Sequence, residues 1–144
     1  MFQIQHFPFL NIVNIQDDPY HQEIPLSYNP NGKSIIVKND KEHLPIAIAR
    51  IYFNENRQFA EIGDLYVRPD YRNNGMGRSI LDTTLKLSQK FVNKVWLWTV
   101  DDNIPAIKLY EKFKFKKFDD QRLSEIIKKK NKWVGNKNVI FFYK

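Results

Sequence analysis

The sequence predicts an α/β domain on one mixed, mostly antiparallel sheet that is flanked by helices. Three observations support this class: an early series of strand-like segments, an amphipathic helix pattern in mid-chain, and a strand–helix alternation after it. The 144 residues suit one domain over 1–144, and 42% apolar residues suffice for a packed core. The absence of cysteine excludes disulfides and thiolate chemistry and is consistent with a cytoplasmic location.

The first half of the chain is predicted to consist of strands and turns. Residues Phe2–Leu10 fit a first strand that Pro8 interrupts. Turn signals in Asp17–Gly32 predict mostly loop, with room for a short helical region. Apolar runs predict further strands over Ser34–Lys38, Ile46–Phe53 and Phe59–Val67. The turn residues Asn54–Asn56 join the last two strands as a hairpin.

The second half of the chain is predicted to alternate helices with strands. Apolar side chains three and four residues apart predict a helix over Gly75–Phe91. The continuous apolar run Val95–Val100 is typical of a central strand. Asp102 or Asn103 can cap the next helix, whose first turn contains Pro105. The remaining predicted elements are a strand over Phe115–Phe118, a helix over Leu123–Lys130 and a strand over Val139–Tyr143.

The formal net charge of +7 attracts polyanions in general, including nucleic acid, anionic membranes and phosphorylated ligands. Lysines alternate with Phe113 and Phe115 late in the chain, which indicates a strand with one hydrated face and disfavours nucleic acid. We expect no signal peptide and no membrane partner, because no apolar run is long enough to span a bilayer. His6, His21 and His43 are scattered in the sequence, which disfavours a metal site.

The segment Arg72–Arg78 joins a strand to a helix and has the features of an anion site. The first N–H groups of a helix have no partner within it, and the helix dipole adds positive potential there. Gly75 and Gly77 lack a Cβ where a phosphate would approach, and an arginine at each end supplies a cation. The alternative is a turn that needs glycine only for its dihedrals. A dinucleotide loop is disfavoured because Ile80 stands at the third glycine position.

Two motifs in order carry a resemblance to a known family. Arg72-Asn73-Asn74-Gly75-Met76-Gly77 is similar to R/Q-x-x-G-x-G/A, the acetyl-CoA signature of the GNAT superfamily of N-acetyltransferases. Asn103–Lys112 resembles the second block of that family, N-x-x-A-x-x-L-Y-E-K. The resemblance covers about Ile46–Phe118. It implies a single GNAT-like domain, acetyl-CoA as acyl donor without a metal, and direct attack by a primary amine in a ternary complex.

The resemblance also implies the site residues. Cofactor-binding residues would be Leu65, Tyr66 and Val67 on the strand, Arg72, Asn73, Asn74, Gly75, Met76, Gly77 and Arg78 in the loop, and Asn103 and Tyr110 in the second block. In the family, the pantetheine arm pairs with the strand that ends here at Val67, where that strand diverges from the strand over Val95–Val100. The residue at the Asn103 position often hydrogen-bonds the pantetheine, and that at the Tyr110 position often protonates the departing thiolate.

The chemistry of acyl transfer is consistent with these roles. An acceptor amine with a pKa of about 10.4 must lose a proton before it attacks, and a leaving thiolate with a pKa of about 8.5 benefits from an acid such as Tyr110. The oxyanion needs a donor such as the N–H of Val67. Glu61 is the candidate base by analogy with some protein-acetylating members, and the alternative is a hydrated strand residue. Strict alternation along the strand predicts that Asp64 lies on the face opposite to Glu61. Tyr110 as a core residue and Asn103 as a plain helix cap stay open.

Two departures from the family pattern limit the analogy. Lys114 stands where the family usually has glycine, and a left-handed turn there would cost a lysine roughly 1 kcal/mol, which leaves a different turn open. The segment before Ser34 is short for the helices that usually build the acceptor wall. Trp96 and Trp98 are expected in the core or groove wall, whereas Trp133 fits either the acceptor mouth or a sheet edge.

The acceptor stays open between a small-molecule amine, an aminoglycoside-like antibiotic and a protein amine. The alternative function is a non-catalytic acyl-CoA-binding sensor or interaction module on the same fold. The intact loop Arg72–Gly77 argues against a third hypothesis, a basic nucleic-acid-binding domain. The sequence leaves a homodimer open.

Overall fold

The structure, a computed structural model, describes residues 10–20, 31–39 and 44–144. Its strands are β1 (Leu10–Asn14), β2 (Lys33–Lys38), β3 (Pro45–Phe53), β4 (Phe59–Val67), β5 (Lys94–Val100), β6 (Lys116–Phe118) and β7 (Val139–Tyr143). Its helices are α1 (Met76–Gln89), α2 (Ile104–Lys112) and α3 (Gln121–Lys130), with 3-10 turns at Ile15–Asp17, Pro69–Tyr71 and Lys132–Val134. From Ser34 onward, these elements match the predicted ones to within about two residues.

The N-terminal predictions are tested only in part. Residues 2–9 of the predicted first strand lie outside the described residues, as do residues 21–30 of the predicted loop and the three histidines. β1 was not predicted, because asparagines with low strand propensity interrupt its apolar residues. This segment forms a strand despite its low propensity, because pairing with β2 gives its backbone groups hydrogen-bond partners. Within residues 10–20 and 31–39, the helical content is the 3-10 turn Ile15–Asp17.

The described strands form one sheet in the order β1-β2-β3-β4-β5-β7-β6. Neighbours are antiparallel except for β4 and β5, which are parallel. β7 lies between β5 and β6, so the last strand of the chain is internal to the sheet. The α/β class with a mixed, mostly antiparallel sheet is confirmed.

The two faces of the sheet have different partners. We call the face that packs against α1 and α2 the helix face, and the other the opposite face. The helix-face core includes Ile51, Phe53, Ala60, Ile62, Leu81, Leu85, Val95, Leu97, Tyr110 and Phe142. A neighbouring cluster joins Ile35, Val37, Ala47 and Ala49 to Met76 and Ile80 of α1. Strand alternation then puts Arg50, Tyr52 and Glu61 on the opposite face. Trp98 stacks there on Trp133, with 5.7 Å between ring centroids.

The end of α2 keeps the turn for which the family usually uses glycine. Lys114 has a φ of +67°, in the left-handed region. The N–H of Phe115 donates to the C=O of Tyr110 and the N–H of Lys114 to that of Glu111, at 3.1 and 3.0 Å. This pair of bonds is the Schellman C-cap, in which the left-handed residue is usually glycine. Lysine therefore adopts the same turn at a conformational cost.

We expect Lys114→Gly to raise the free energy of unfolding by about 1 kcal/mol, because glycine adopts this φ without a Cβ penalty. Urea denaturation measures the change. The control is Lys108→Gly, at an exposed position inside α2, which should lower stability by about 1 kcal/mol. Equal signs for the two substitutions would contradict the prediction.

Within residues 10–20, 31–39 and 44–144, two kinds of feature are absent. No helix there combines the length and apolar character required to cross a membrane. In the same ranges, no group of three or more His, Asp or Glu side chains is arranged to hold a metal ion.

Candidate active site

β4 and β5 pair over their first residues and then diverge. Phe59–Glu61 pairs with Lys94–Trp96. Beyond Glu61, β4 continues along β3 as far as Val67, whereas β5 continues along β7 to Val100. The strands therefore separate toward their C-terminal ends. Within the described part of the chain, this edge of β4 has no strand partner beyond Glu61.

A β-bulge in β4 coincides with the divergence. The register with β3 shifts between Gly63 and Tyr66. As a result, Asp64 and Leu65 stand opposite the single residue Ala49. Asp64 has a φ of +52°. The extra residue returns Leu65 to the helix face, where it packs against the core.

The backbone of Val67 is directed toward the free edge of β4. The N–H of Arg68 donates to the C=O of Ile46 in β3 at 2.8 Å. Neighbouring residues of a strand point their N–H groups to opposite edges, so the N–H of Val67 points away from β3. The C=O of Val67 accepts from Nε of Arg72 at 2.8 Å, which is consistent with that direction. Val67 thus presents a backbone donor where β5 has moved away.

The loop after β4 turns sharply into α1. Asn73 and Gly75 have φ angles of +65° and +86°. Asparagine tolerates the left-handed region better than most residues, and glycine does so freely. Oδ1 of Asn74 accepts from the N–H of Met76 at 3.2 Å, so the first helical N–H already has a partner.

The next two N–H groups of α1 are available to a ligand. Among residues 44–144, the N–H groups of Gly77 and Arg78 have no hydrogen-bond partner. A Cβ added at Gly77 would meet nothing closer than Cγ2 of Val67, at 3.8 Å. The protein's own packing therefore does not require glycine at position 77. The space above it is open beside the end of β4, as expected for a position that a phosphate approaches.

Two of the three arginines around the loop are free of carboxylates. Arg68 pairs with Asp70, with 2.7 Å between Nη2 and Oδ2, and this hydrogen bond lowers the pKa of Asp70. Arg72 lies over the ring of Tyr66 at 5.6 Å. Arg72 and Arg78 are exposed and form no ion pair in the described residues. They supply positive charge beside the helix start.

Tyr110 has a buried ring and an accessible hydroxyl. Its ring lies in the helix-face core, 5.3 Å from the ring of Phe142 between centroids. The hydroxyl has no partner among the described residues, yet it is not among their fully buried, unpaired oxygens, so it reaches solvent. Burial raises the pKa of Tyr110 to about 12. The phenol is therefore protonated at neutral pH, as an acid must be.

Glu61 is a buried carboxylate at the point where β4 and β5 separate. It is 7% exposed and pairs with Trp96 in the last register position that the two strands share. The alternative of a hydrated strand residue is therefore wrong. Because Glu61 lies on the opposite face and Tyr110 on the helix face, the two candidate proton-transfer groups flank the divergence from different sides.

Strand alternation predicted that Asp64 and Glu61 lie on different faces of β4, and this prediction is wrong. Tyr52 shares the opposite face with Glu61, and its hydroxyl donates to Oδ2 of Asp64. The bulge, with the left-handed φ of Asp64, breaks the period of two. The carboxylate of Asp64 therefore reaches the same face as Glu61, not the other one.

The sequence matches the model of the acetyltransferase (GNAT) family over residues 1–115. The chain belongs to this family. A search of curated proteins found no match.

Solved acetyltransferases share the fold at low sequence identity. Nourseothricin acetyltransferase is 16% identical with a TM-score of 0.64, over 79% of this chain and 65% of that one. A Bacillus anthracis str. Ames protein assigned as a streptothricin acetyltransferase, in complex with acetyl coenzyme A, is 23% identical with a TM-score of 0.63, over 88% and 70%. Vibrio cholerae spermidine N-acetyltransferase, in complex with CoA and spermine, is 18% identical with a TM-score of 0.57, over 78% and 64%. The chain thus spans just under two thirds of the length of nourseothricin acetyltransferase.

Asn103 acts as a helix cap in this GNAT chain. Its Oδ1 accepts from the N–H of Ala106 at 3.4 Å, and the side chain is exposed where β5 leads into α2. The prediction that Asn103 caps this helix is confirmed. A further contact of Asn103 with pantetheine stays a prediction.

Reasoning from the sequence did not identify three residues on the opposite face of this GNAT chain, namely Asp18, Arg50 and Tyr52. They belong to no motif, and their neighbours are distant in the chain. The predicted hairpin between β3 and β4 was the available signal, because the register that pairs Phe53 with Ala60 also pairs Tyr52 with Glu61.

Proposed function

We propose that this chain transfers an acetyl group from acetyl-CoA to a primary amine by direct attack in a ternary complex. The observation that carries the proposal is the position of Glu61 and Tyr110 on different faces of the β4–β5 divergence. Direct transfer needs a base on the side of the amine and an acid on the side of the leaving thiolate. The divergence provides the passage between the two sides.

The donor side is assigned to the open edge of β4 and the start of α1. The free N–H groups of Gly77 and Arg78 would hold the pyrophosphate, assisted by the charge of Arg72. The unpaired edge at Leu65–Val67 would pair with the pantetheine arm, as an added strand does. Acetyl-CoA, when bound, supplies the activated acyl group. The N–H of Val67, which points away from β3, would donate to the acyl oxygen.

The acceptor side is assigned to the opposite face, beside Glu61. Glu61 would take the proton that the amine must lose, directly or through water, and Tyr110 would give a proton to the leaving thiolate. The structural relatives support a small-molecule amine, since their names refer to antibiotic and spermidine acetylation.

The test is an acceptor panel in which thiol release and product mass are both measured. The panel includes a polyamine, an aminoglycoside, a streptothricin-type antibiotic and a lysine peptide. One acetyl group added to an amine, with one CoA released, is the expected result. Thermal stabilisation by CoA without turnover on any amine would support the sensor alternative. If CoA gives no stabilisation and no amine is turned over, the proposal is overturned.

We expect Glu61→Gln to lower kcat about 100-fold, because the amide retains the shape of the side chain but cannot take up a proton. The rate is measured by thiol release at saturating acetyl-CoA. Glu55→Gln, at an exposed position in the β3–β4 turn, is the control and should leave the rate unchanged. An undiminished rate for Glu61→Gln would remove Glu61 from the mechanism.

A further inference from the structure

Asp64 needs an external constraint to keep its backbone conformation. A left-handed conformation costs a non-glycine residue roughly 1–2 kcal/mol, although aspartate tolerates it better than most residues. Such a conformation persists where the surrounding structure fixes it. The bulge at Asp64 also sets which β4 side chains and N–H groups face each way beyond it. Whatever holds Asp64 therefore controls the edge that includes Val67.

Two side chains of β3 hold the carboxylate of Asp64. The hydroxyl of Tyr52 donates to Oδ2, and Nη1 of Arg50 lies 3.4 Å from the same oxygen. Tyr52 is buried, and burial together with the Asp64 charge raises its pKa far above the usual value. Its hydroxyl therefore stays protonated and remains a donor. A Cβ at Gly63 would lie 2.8 Å from the ring of Tyr52, so the ring reaches Asp64 across a glycine.

Arg50 is fixed in turn by the segment after β1. Nε of Arg50 donates to Oδ2 of Asp18 at 2.8 Å, and Nη2 donates to the C=O of Tyr20 at 2.7 Å. Oδ1 of Asp18 accepts from the N–H of Tyr20 at 2.8 Å. The side chain of Asp18 is 0% exposed and that of Arg50 is 9% exposed. If Arg50 moved away from Asp18, both would be left as unpaired buried charges, which is strongly unfavourable. The pair therefore keeps Arg50 in this position.

We propose that Tyr52 and Arg50 are positioning residues for acyl transfer, which hold the Asp64 bulge so that the N–H of Val67 faces the passage between β4 and β5. The inference rests on the proposed function. The pyrophosphate contacts belong to Gly77 and Arg78, beyond the end of β4, so loss of the Asp64 contacts should affect kcat more than CoA affinity. Asp18 acts through Arg50, and it links the segment after β1 to the same bulge.

The first test compares Tyr52→Phe, Asp64→Ala and the double variant. Each single variant should lower kcat at least 10-fold and change the Kd for CoA less than 3-fold, on the order expected for a misaligned donor. The double variant should be no slower than Asp64→Ala, since both changes remove one interaction. Asp64→Asn should retain at least a third of kcat, because asparagine adopts the left-handed region and its amide oxygen accepts from Tyr52. The inference would be overturned if the loss of kcat in the double variant were the product of the losses in the two single variants. A kcat for Tyr52→Phe within about 2-fold of the parent would overturn it as well.

The second measurement does not depend on turnover. The N–H of Arg68, bonded to Ile46 just beyond the bulge, should exchange with deuterium at least 10-fold faster in Tyr52→Phe, because local opening sets exchange. The N–H of Val95, bonded to Lys144, is the internal control and should not change. If Tyr52→Phe does not fold, Asp64→Ala replaces it, because alanine removes the acceptor and leaves the left-handed φ unfavourable. An unchanged Arg68 rate would overturn the inference. Absence of turnover in the parent with normal Arg68 protection would refute the proposed function alone.

Discussion

Gly77→Glu should abolish CoA binding and leave the protein folded. The position lies in the first turn of α1, where its N–H has no hydrogen-bond partner within residues 44–144 and its missing Cβ leaves open space beside Val67. A glutamate fills that space and brings a negative charge to where the pyrophosphate would bind. The Kd for CoA should rise at least about 100-fold, which is about 2.7 kcal/mol. The stabilisation of the protein by CoA in thermal melting should disappear.

Stability separates lost binding from lost folding in this variant. Replacing a helical glycine should stabilise the unliganded protein by about 0.5–1 kcal/mol, and a carboxylate near a helix N-terminus is favourable. Gln89→Glu adds the same charge at the other end of α1 and should leave the Kd unchanged. Gly77→Ala should bind CoA with an affinity between those of the parent and Gly77→Glu, because the added Cβ occupies part of the open space but makes only an ordinary contact with Val67. Retained affinity in Gly77→Glu would refute the assignment of the phosphate site.

Tyr110→Phe should lower kcat about 100-fold with little effect on the Kd for CoA. The variant removes only the hydroxyl, and general acid catalysis contributes about 10²–10⁴-fold. The ring still packs against Phe142 and Phe115, so the melting temperature should stay close to that of the parent. Because the pKa of Tyr110 is about 12, the parent should keep this acid protonated up to about pH 10 and lose it as the pH rises through about 12.

The control for Tyr110→Phe is Tyr143→Phe, an exposed residue at the end of β7. Its kcat should match that of the parent. Single-turnover measurements at saturating acetyl-CoA separate the chemical step from product release. Equal rates for Tyr110→Phe and the parent would leave Tyr110 with a packing role only, as the plain core interpretation has it.

Elements with a strong local pattern were predictable from the sequence, whereas contacts across strands were not. β4 and α1 were found nearly to the residue because their apolar periods and the intervening glycines are local features. The anion site at Arg72–Arg78 was predicted from local features as well, namely a helix start with glycines, and it stays a prediction. The face of Asp64 was mispredicted because a period of two cannot reveal an extra residue in the pairing.

Glu61 and Asp64 show what depends on tertiary structure. Residues close together in the chain were enough to identify the family, and they also led to the predictions of a phosphate site at Arg72–Arg78 and of Tyr110 as the acid. The burial of Glu61 and the contacts of Asp64 with Tyr52 and Arg50 became visible in the folded sheet. Both depend on register and bulges, which arise from hydrogen bonds between strands and bring together residues that have no fixed spacing in the sequence.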